Sequence, residues 1–529
     1  MPSLDSAAKP HDASSKIGAQ VVIAKSNLPL QLPAPPVRIS QTDARIAPLQ
    51  AKINRAQIFA AYQQLTKIYV SLGRYDDAAK TLRAEAAQYR RKGFADAAII
   101  RERQAARYET DLQLFIDRLP TFAEQRVLDT RARLEPPNGA YLGAFVDRDD
   151  AISRYFLDEN FQRHTRVEDW TQLVGKPHAS YFMYLRYGNK FPRAWVNHLK
   201  KHGAIPHIAW EPIALKFVQD DKYLRDFARE AARANWPIMI RFASEMNGKW
   251  TPYHDNPKLY REKFRLVNSV LHQEAPQVAT IWCVNNPPLG NIAQYYPGDD
   301  GCDWVGVNFY APIYYDNNRN RPTRDDNPLA LLDPVYKMFA TRKPIAIGEF
   351  AASHQSIVDN KIQTAFAEEK IALIYGALPR LYPRVKMVNW FSMNTIRHSK
   401  IGKTRSDYSL GSNVLVRDAY ARAVASNYFL ERTDSSTRSW VEMPRLLKPN
   451  ENVRGVVNFS VWAKTYIARP KVFIEINGKI VYASDAMCVH AFALDTSQFT
   501  TKKLTLRCYL YDDRNRFIEI QSVAVNSRP

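Results

Sequence analysis

Residues 237–250 read PIMIRFASEMNGKW and carry the pattern that decides the fold. An apolar run follows Pro237, is interrupted only by Arg241, and gives way to a polar stretch that contains Glu245. Near-continuous apolar runs of this length are typical of strands buried on both faces, as in parallel sheets. The amphipathic stretch 257–273 comes next, so the segment predicts a strand, a loop and a helix in that order.

The same unit recurs along the middle of the chain. Amphipathic stretches such as 221–234 and 355–378 separate most of the apolar runs. The eight strand candidates are 140–146, 178–184, 204–209, 237–242, 278–284, 303–309, 344–347 and 385–390. Eight alternating strands and helices predict an α/β fold, the (β/α)8 TIM barrel. A doubly wound open sheet is the alternative, but its glycine-rich turn after the first strand is missing.

The chain divides into four predicted parts, with boundaries at 1–50, 51–135, 136–434 and 440–529. The first is a flexible arm rich in Pro and Ala, and the second is a helical annex that resembles tetratricopeptide repeats over fewer than two units. The third is the barrel. The fourth alternates apolar and polar residues, and its Asn477-Gly478 pair is a strong hairpin signal, so it predicts an all-β antiparallel sandwich.

The charge of the chain is high but diffuse. The 529 residues include 74 Lys and Arg and 53 Asp and Glu, which gives a formal net charge of +21. The basic excess forms no long run of like charges, which favours a generally basic surface over a focused anionic partner. Known basic nucleic-acid motifs are absent, and no apolar stretch approaches the ~18 residues needed to span a bilayer. We therefore expect neither nucleic-acid binding nor a membrane span.

Metal and disulfide signals are weak. Four cysteines occur without a Cys-x-x-Cys spacing, so a zinc ribbon has no support and disulfide pairing stays open. His198 and His202 lie four apart on a predicted helix, which is a zinc-like spacing, but no glutamate follows His198 as in zinc proteases. Gly203 marks a helix end, where cationic side chains are favoured in any case. We expect no metal and no cofactor.

Two glutamates stand where barrel chemistry takes place. Glu245 follows the fourth predicted strand and Glu349 the seventh, and these strands face each other across the barrel mouth. Retaining glycosidases need such a pair, held about 5–5.5 Å apart, one as general acid/base and one as nucleophile. Either glutamate taken alone could cap a helix or pair with an arginine. Glu211 is a third carboxylate at the mouth, with substrate contact or a structural role as its alternatives.

The barrel segment resembles glycoside hydrolase family 26, the β-mannanase-like retaining enzymes. The matching pieces are AYLG (140–143), AWEP (209–212), RFASEMNGKW (241–250), WCVN (282–285), DWVGVNFY (303–310), IGEF (347–350) and NWF (389–391). The last part is similar to bacterial immunoglobulin-like modules attached to secreted glycosidases. That likeness is carried by VFIEINGKIVY (472–482), ALDT (493–496) and LTLRCY (504–509).

The family resemblance implies a set of roles. Glu245 would be the acid/base and Glu349 the nucleophile, Tyr310 would hydrogen-bond the nucleophile, and Trp250 and Trp390 would line the sugar subsites. One departure is Ser244, where family members place His, and it affects the expected mannan specificity more than hydrolysis.

Other residues are predicted to contact substrate on their position alone. Trp210 and Trp282 lie at strand ends, with burial in the barrel core as the alternative, and Asn247 follows the acid/base. Arg241, inside a strand, is expected to be buried beside a carboxylate. Ser244 could hydrogen-bond a sugar or a neighbouring carboxylate.

These observations predict a retaining, endo-acting glycoside hydrolase that cleaves a β-linked polysaccharide by a two-glutamate double displacement. Candidate substrates are β-mannan, β-glucan, β-xylan or a bacterial exopolysaccharide, with acidic polymers included because of the charge. The alternative is a non-catalytic polysaccharide-binding or exopolysaccharide-assembly protein on a degenerate barrel, and the annex could dock a protein partner. We expect a secreted or periplasmic bacterial protein whose signal is absent from this sequence, with a cytosolic location as the alternative.

Overall fold

A computed structural model of the chain describes residues 28–33, 43–56, 58–399, 405–434 and 439–527. Most of the flexible arm predicted for 1–50 lies outside the described residues. Its last residues form the start of the first helix, at Ile46. Within the described part of the chain, none of the helices combines the length and apolar content needed to cross a bilayer.

Among the described residues before the barrel, the chain forms four helices, one strand and a short helix. Apolar side chains on successive helices form a core of their own, which includes Leu65, Tyr69, Ala78 and Leu82. This follows from the helical spacing of apolar residues, because positions three and four apart share one face. The elements are α1 (Ile46–Ala56), α2 (Phe59–Ser71), α3 (Tyr75–Arg91), α4 (Ala95–Tyr108), β1 (Asp111–Arg118) and α5 (Phe122–Leu128).

The middle of the chain alternates strands and helices, as the sequence predicts. In chain order the elements are β2 (Ala140–Arg148), β3 (Tyr155–Leu157), β4 (Arg163–Thr165), α6 (Val167–Val174), β5 (Ser180–Arg186), α7 (Arg193–Lys201), β6 (Ile205–Glu211), α8 (Lys222–Arg233), β7 (Ile238–Phe242), α9 (Pro257–Glu274), β8 (Val278–Asn285), α10 (Ile292–Tyr295), β9 (Trp304–Ala311), α11 (Leu329–Phe339), β10 (Ile345–Ala352), β11 (Gln355–Ser356), α12 (Thr364–Leu381), β12 (Val385–Met393), α13 (Thr395–His398), β13 (Ser406–Asp407), α14 (Val414–Ala423) and β14 (Phe429–Leu430).

Eight of these strands close into a parallel barrel. The strand order is β2, β5, β6, β7, β8, β9, β10 and β12, and β12 pairs in parallel with β2 to complete the ring. All eight predicted strands are confirmed within a few residues at their ends. Alternate residues point inward and outward, so the strands are buried on both faces, and a compact inner core that includes Tyr141, Met239, Ile281 and Met387 fills the barrel.

Two antiparallel sheets follow the barrel. Their strands are β15 (Met443–Leu446), β16 (Asn452–Val453), β17 (Val456–Lys464), β18 (Lys471–Ile476), β19 (Lys479–Ser484), β20 (Cys488–Asp495), β21 (Lys503–Tyr511) and β22 (Phe517–Ser527). The predicted hairpin is confirmed, since Asn477 and Gly478 both take positive φ between the paired β18 and β19. The two sheets share one apolar core. An immunoglobulin-like topology for this region stays a prediction.

The helical annex and the carboxyl-terminal sheets are joined by a shared strand, which the sequence-based division into parts did not anticipate. Strand β1 pairs antiparallel with β17 on one side and β15 on the other. Its apolar residues Leu112, Leu114 and Ile116 alternate and lie in the sandwich core. The helical pattern of 53–114 runs directly into this strand, which concealed the change of period from 3.6 to 2. The exact domain boundaries stay predictions.

All four cysteines fall within the described residues, where they are buried and unpaired. Cys283 lies in the barrel interior, Cys302 precedes β9, and Cys488 and Cys508 lie in the carboxyl-terminal strands β20 and β21. The disulfide pairing that the sequence left open is therefore absent from the part of the chain that the structure describes.

A buried ion pair connects the segment between α5 and β2 to the amino-terminal end of the barrel. Arg384 precedes β12 and is paired with Glu135, and both side chains are almost completely buried. The guanidinium also donates to the backbone oxygens of Leu128 (2.7 Å) and Ala340 (2.9 Å). Removal of one partner leaves the other charge buried and unpaired, which is costly.

We expect Glu135→Ala to destabilise the protein by about 3–5 kcal/mol, because Arg384 would lose the one carboxylate that it pairs with among the described residues. Urea unfolding followed by circular dichroism measures the change. The matched control is Asp226→Ala, which removes an exposed ion pair with Lys222 and should alter the transition little. Equal effects of the two variants would contradict this account.

Candidate active site

The barrel mouth holds a connected set of polar side chains at its centre. Arg241, fully buried in β7, donates to Glu349 Oε1 in β10 at 2.5 Å and to Asn308 Oδ1 in β9 at 3.0 Å. Asn308 Nδ2 in turn donates to Glu245 Oε1 at 2.8 Å. A chain of hydrogen bonds thus links the two predicted catalytic glutamates across the mouth.

Glu349 accepts hydrogen bonds from several sides. Besides Arg241, Tyr184 donates to its Oε1 at 2.7 Å and Tyr310 donates to its Oε2. Burial alone would lower the pKa of Arg241, but the Glu349 carboxylate outweighs it and raises that pKa well above its usual value. Glu349 is 4% exposed, so these donors replace the water that a buried carboxylate loses.

Gly348 makes this arrangement possible. A β-carbon at that position would stand 2.5 Å from Asn308 Oδ1 and 3.0 Å from Arg241 Nη1. A side chain there would therefore displace the groups that hold Glu349.

Glu245 has a different environment from Glu349. It is partly buried and accepts from Asn308 and, through Oε2, from Trp250 Nε1 at 2.7 Å. Burial, reinforced by repulsion from Glu349, raises the pKa of Glu245 to about 7, against the hydrogen bonds that favour its charged form. The two carboxyl groups are thus placed so that one can keep a proton while the other carries charge.

The loop that carries Glu245 is conformationally strained. Ala243 and Glu245 both have positive φ, 45° and 58°, a region that residues with a β-carbon occupy at a cost. Backbone hydrogen bonds hold the turn in place, from Ala243 N to Trp210 O (3.0 Å) and from Glu245 N to Cys283 O (2.9 Å). The neighbouring strands β6 and β8 therefore fix the position of the Glu245 side chain.

Ser244 and Glu211 interact with each other beneath this loop. Ser244 Oγ donates to Glu211 Oε1 at 2.5 Å, and Tyr253 donates to Glu211 Oε2 and to the Ser244 backbone oxygen (2.8 Å). Burial raises the pKa of Glu211, opposed by the hydrogen bonds from Ser244 and Tyr253. Ser244, predicted to contact substrate, is only 5% exposed, and its hydroxyl group donates its hydrogen bond to Glu211. Glu211 thereby acts as an anchor for the loop.

Asn247, also predicted to contact substrate, is fully buried. Its Nδ2 donates to Asn285 O (2.7 Å) and Pro288 O (2.6 Å), and its Oδ1 accepts from Asn285 N (2.9 Å). Both amide hydrogens are used within the protein. The side chain therefore joins the loops after β7 and β8 and has no free donor for a ligand.

Three of the four tryptophans predicted to contact sugar face the helices instead of the cleft. Trp210, Trp282 and Trp390 are fully buried. Trp210 stacks on Phe227 of α8 with ring centroids 4.1 Å apart, and Trp390 contacts Tyr420 of α14. Side chains alternate along a strand, so a residue next to an inward-facing one points outward. Trp210, for example, points outward because the next residue, Glu211, points inward. The exception is Trp250, which is 51% exposed beside Glu245.

Sequence reasoning missed Tyr184, Asn308 and Tyr253. Tyr184 lies two residues beyond the inward-facing Phe182, and Asn308 lies two residues before Tyr310. The two-residue period, counted from an inward-facing position, could have found these two. No local signal marks Tyr253, because its partner Glu211 ends β6 and is distant in the sequence.

Comparison with known families finds one match. Residues 219–332 match the model of glycosyl hydrolase family 26. The matched segment contains Glu245, Asn308 and Tyr310, and it ends before Glu349.

Over 83 residues the chain is 30% identical to a β-1,3-xylanase (TXYA) of a Vibrio species and, equally, to a β-1,3-xylanase of an Alcaligenes species. Each match covers 14% of this chain and 17% of the relative, so the chain spans about a sixth of the length of the curated relatives it matches. Among solved structures, a modular endo-β-1,4-mannanase from Cellulomonas fimi aligns with 14% identity over 77% of this chain and 98% of its own, at a TM-score of 0.41.

Proposed function

We propose that the protein is a retaining glycoside hydrolase that cleaves a β-linked polysaccharide. The observation that carries the proposal is the pair of carboxyl groups at the barrel mouth. Glu349 is fixed by three donors, one of which is the fully buried Arg241, while Glu245 has a pKa raised to about 7. Two carboxyl groups with opposed protonation are what double displacement requires. The family match over 219–332 supports the same proposal.

In the first step, Glu349 attacks the anomeric carbon of the bound sugar. The glycosidic bond breaks as Glu245 transfers its proton to the leaving oxygen, and a covalent glycosyl–enzyme ester forms. In the second step, the Glu245 carboxylate takes a proton from water, which attacks the same carbon and releases Glu349. Both steps use the same two groups, and configuration is retained.

The hydrogen bonds around Glu349 assist this sequence. Tyr184 and Tyr310 bind separate oxygens of the carboxylate, so they fix the orientation in which it meets the sugar. The Arg241 guanidinium balances the charge of the Glu349 carboxylate, and it also stabilises that carboxylate as a leaving group in the second step.

For the substrate we propose a β-glycan chain, with acidic polymers included. Arg186 ends β5 two residues beyond Tyr184, so it shares the inward-facing register, and it is exposed. Within the described residues its guanidinium forms no ion pair. A free cation at this position suits a carboxylated or sulfated sugar unit. The matched relatives are named as β-1,3-xylanases, which places β-1,3-xylan among the polymers to test.

Substitution of either glutamate should abolish hydrolysis. We expect Glu349→Ala to lower the rate at least about a thousandfold, because no other group can form the ester, and Glu245→Gln to lower it about 10²–10⁴-fold through loss of the proton donor. Reducing-end release from a panel of neutral and acidic β-glycans measures this, and proton NMR of the first product reports its anomeric configuration.

A matched control is Glu475→Gln, a buried glutamate of β18 that is hydrogen-bonded to Arg507 and Tyr509. It should leave the rate unchanged. Activity that survives both barrel substitutions would show that other carboxylates act. A wild-type protein that binds one immobilised polymer without cleaving any would instead favour the non-catalytic binding protein.

The pH dependence of kcat/KM should reveal the protonation of Glu245. The group must be protonated to act as an acid, so kcat/KM should fall as the pH rises through about 7, the pKa of Glu245. Trp250→Phe removes an N–H that stabilises the carboxylate, so it should move this basic limb to higher pH. A limb that stays in place in the variant would contradict the proposed role of the Trp250–Glu245 hydrogen bond.

Two further proposals concern the location of the protein and the role of the annex. We propose that the polymer is met outside the cytosol, in a secreted or periplasmic setting, and that the annex is available for protein docking. The annex contacts the rest of the chain through Arg107, which donates to Thr465 O at 2.6 Å, and through the stacked rings of Tyr108 and Tyr466. A protein partner would therefore have to bind the part of the annex surface that makes no contact with the rest of the chain.

A further inference from the structure

Three side chains converge at the outer side of the barrel, between the start of α6 and the end of α7. His198 lies in the last turn of α7 and His202 directly follows that helix, so the two rings lie on one helix face, with centroids 4.8 Å apart and planes tilted by 54°. Glu168 reaches them from the first turn of α6. Its Oε2 lies 3.3 Å from His198 Nε2 and 3.5 Å from His202 Nε2, and all three atoms lie within 4.8 Å of one another.

Two of these atoms, His198 Nε2 and Glu168 Oε2, face each other as acceptors. The backbone N–H of Val167 points at His198 Nε2, 3.4 Å away, so that nitrogen acts as an acceptor and offers no proton to Glu168. Glu168 Oε2 is itself buried and accepts no hydrogen bond from the described residues. Two acceptor atoms 3.3 Å apart with no proton between them repel each other unless a cation lies between them.

The spacing matches a tetrahedral metal ion. Zinc binds imidazole nitrogen and carboxylate oxygen at 2.0–2.2 Å, which places neighbouring ligands about 3.3 Å apart. The separations of Glu168 Oε2 from the two imidazole nitrogens, 3.3 and 3.5 Å, have this size. The other oxygen, Glu168 Oε1, faces Arg166 at 3.5 Å, so Oε2 stays available for a cation. The carboxyl end of α7 adds a negative helix dipole at His202.

We propose that Glu168, His198 and His202 form a Zn²⁺ site that clamps α6 to α7, with water as the fourth ligand. It is separate from the glutamate pair of the proposed function. The side chains are partly exposed, 35%, 13% and 39% respectively, so the ion can enter from solvent. The Phe156 ring lies 4.8 Å from His198, so the clamp would also steady the β3–β4 hairpin, which follows the first barrel strand.

The test uses the full chain after removal of metal with a chelator. Calorimetric titration with Zn²⁺ should show one saturable site, and Co²⁺ should give the intense visible absorption of a tetrahedral complex. His198→Ala, His202→Ala and Glu168→Gln should each weaken Zn²⁺ binding at least about 100-fold and abolish the Co²⁺ band, since each removes or neutralises a ligand. The thermal midpoint of the wild type should rise with added Zn²⁺.

The matched control is His398→Ala, which removes a histidine paired with Asp150 and should keep the site intact. Circular dichroism of each variant shows that it is folded. Wild-type protein that binds no Zn²⁺ would overturn the proposal. So would binding that all three substitutions leave unchanged, because the ion would then be held elsewhere.

Discussion

The contact between Arg241 and Glu349 is the interaction on which the candidate site depends. Both side chains are buried in the barrel, where an unpaired charge would be very costly, so each requires the other. Their pairing fixes Asn308, which reaches Glu245, and it leaves Glu349 oxygens for Tyr184 and Tyr310. One ion pair thus fixes the orientation of groups from four strands, β5, β7, β9 and β10.

The strained loop after β7 complements that rigid centre. Ala243 and Glu245 adopt positive φ because neighbouring strands hold their amides, and Glu211 anchors Ser244 from below. Burial and repulsion from Glu349 then favour the protonated form of Glu245. Several hydrogen bonds thus serve to position one carboxyl group, that of Glu245. This pattern is expected where geometry determines reactivity.

The parts outside the barrel form a connected body. Strand β1 is inserted between β15 and β17, so the chain before the barrel and the chain after it are joined in one sheet. Arg384 and Glu135 then tie the linker after this strand to the barrel bottom. The amino-terminal helices and the carboxyl-terminal sandwich therefore restrict each other's position, which no property of either sequence segment alone would indicate.

The sequence by itself determined the barrel, its eight strands, the hairpin at Asn477-Gly478 and the two glutamates at strand ends, because hydrophobic period and turn chemistry are local. It could not decide which way a strand-end residue points, so it left both the cleft and the core open for Trp210, Trp282 and Trp390, which face the helices. Nor could it show that Glu168 meets His198 and His202, or that β1 joins a distant sheet. Those contacts join residues far apart in the chain, and only the tertiary structure brings them together.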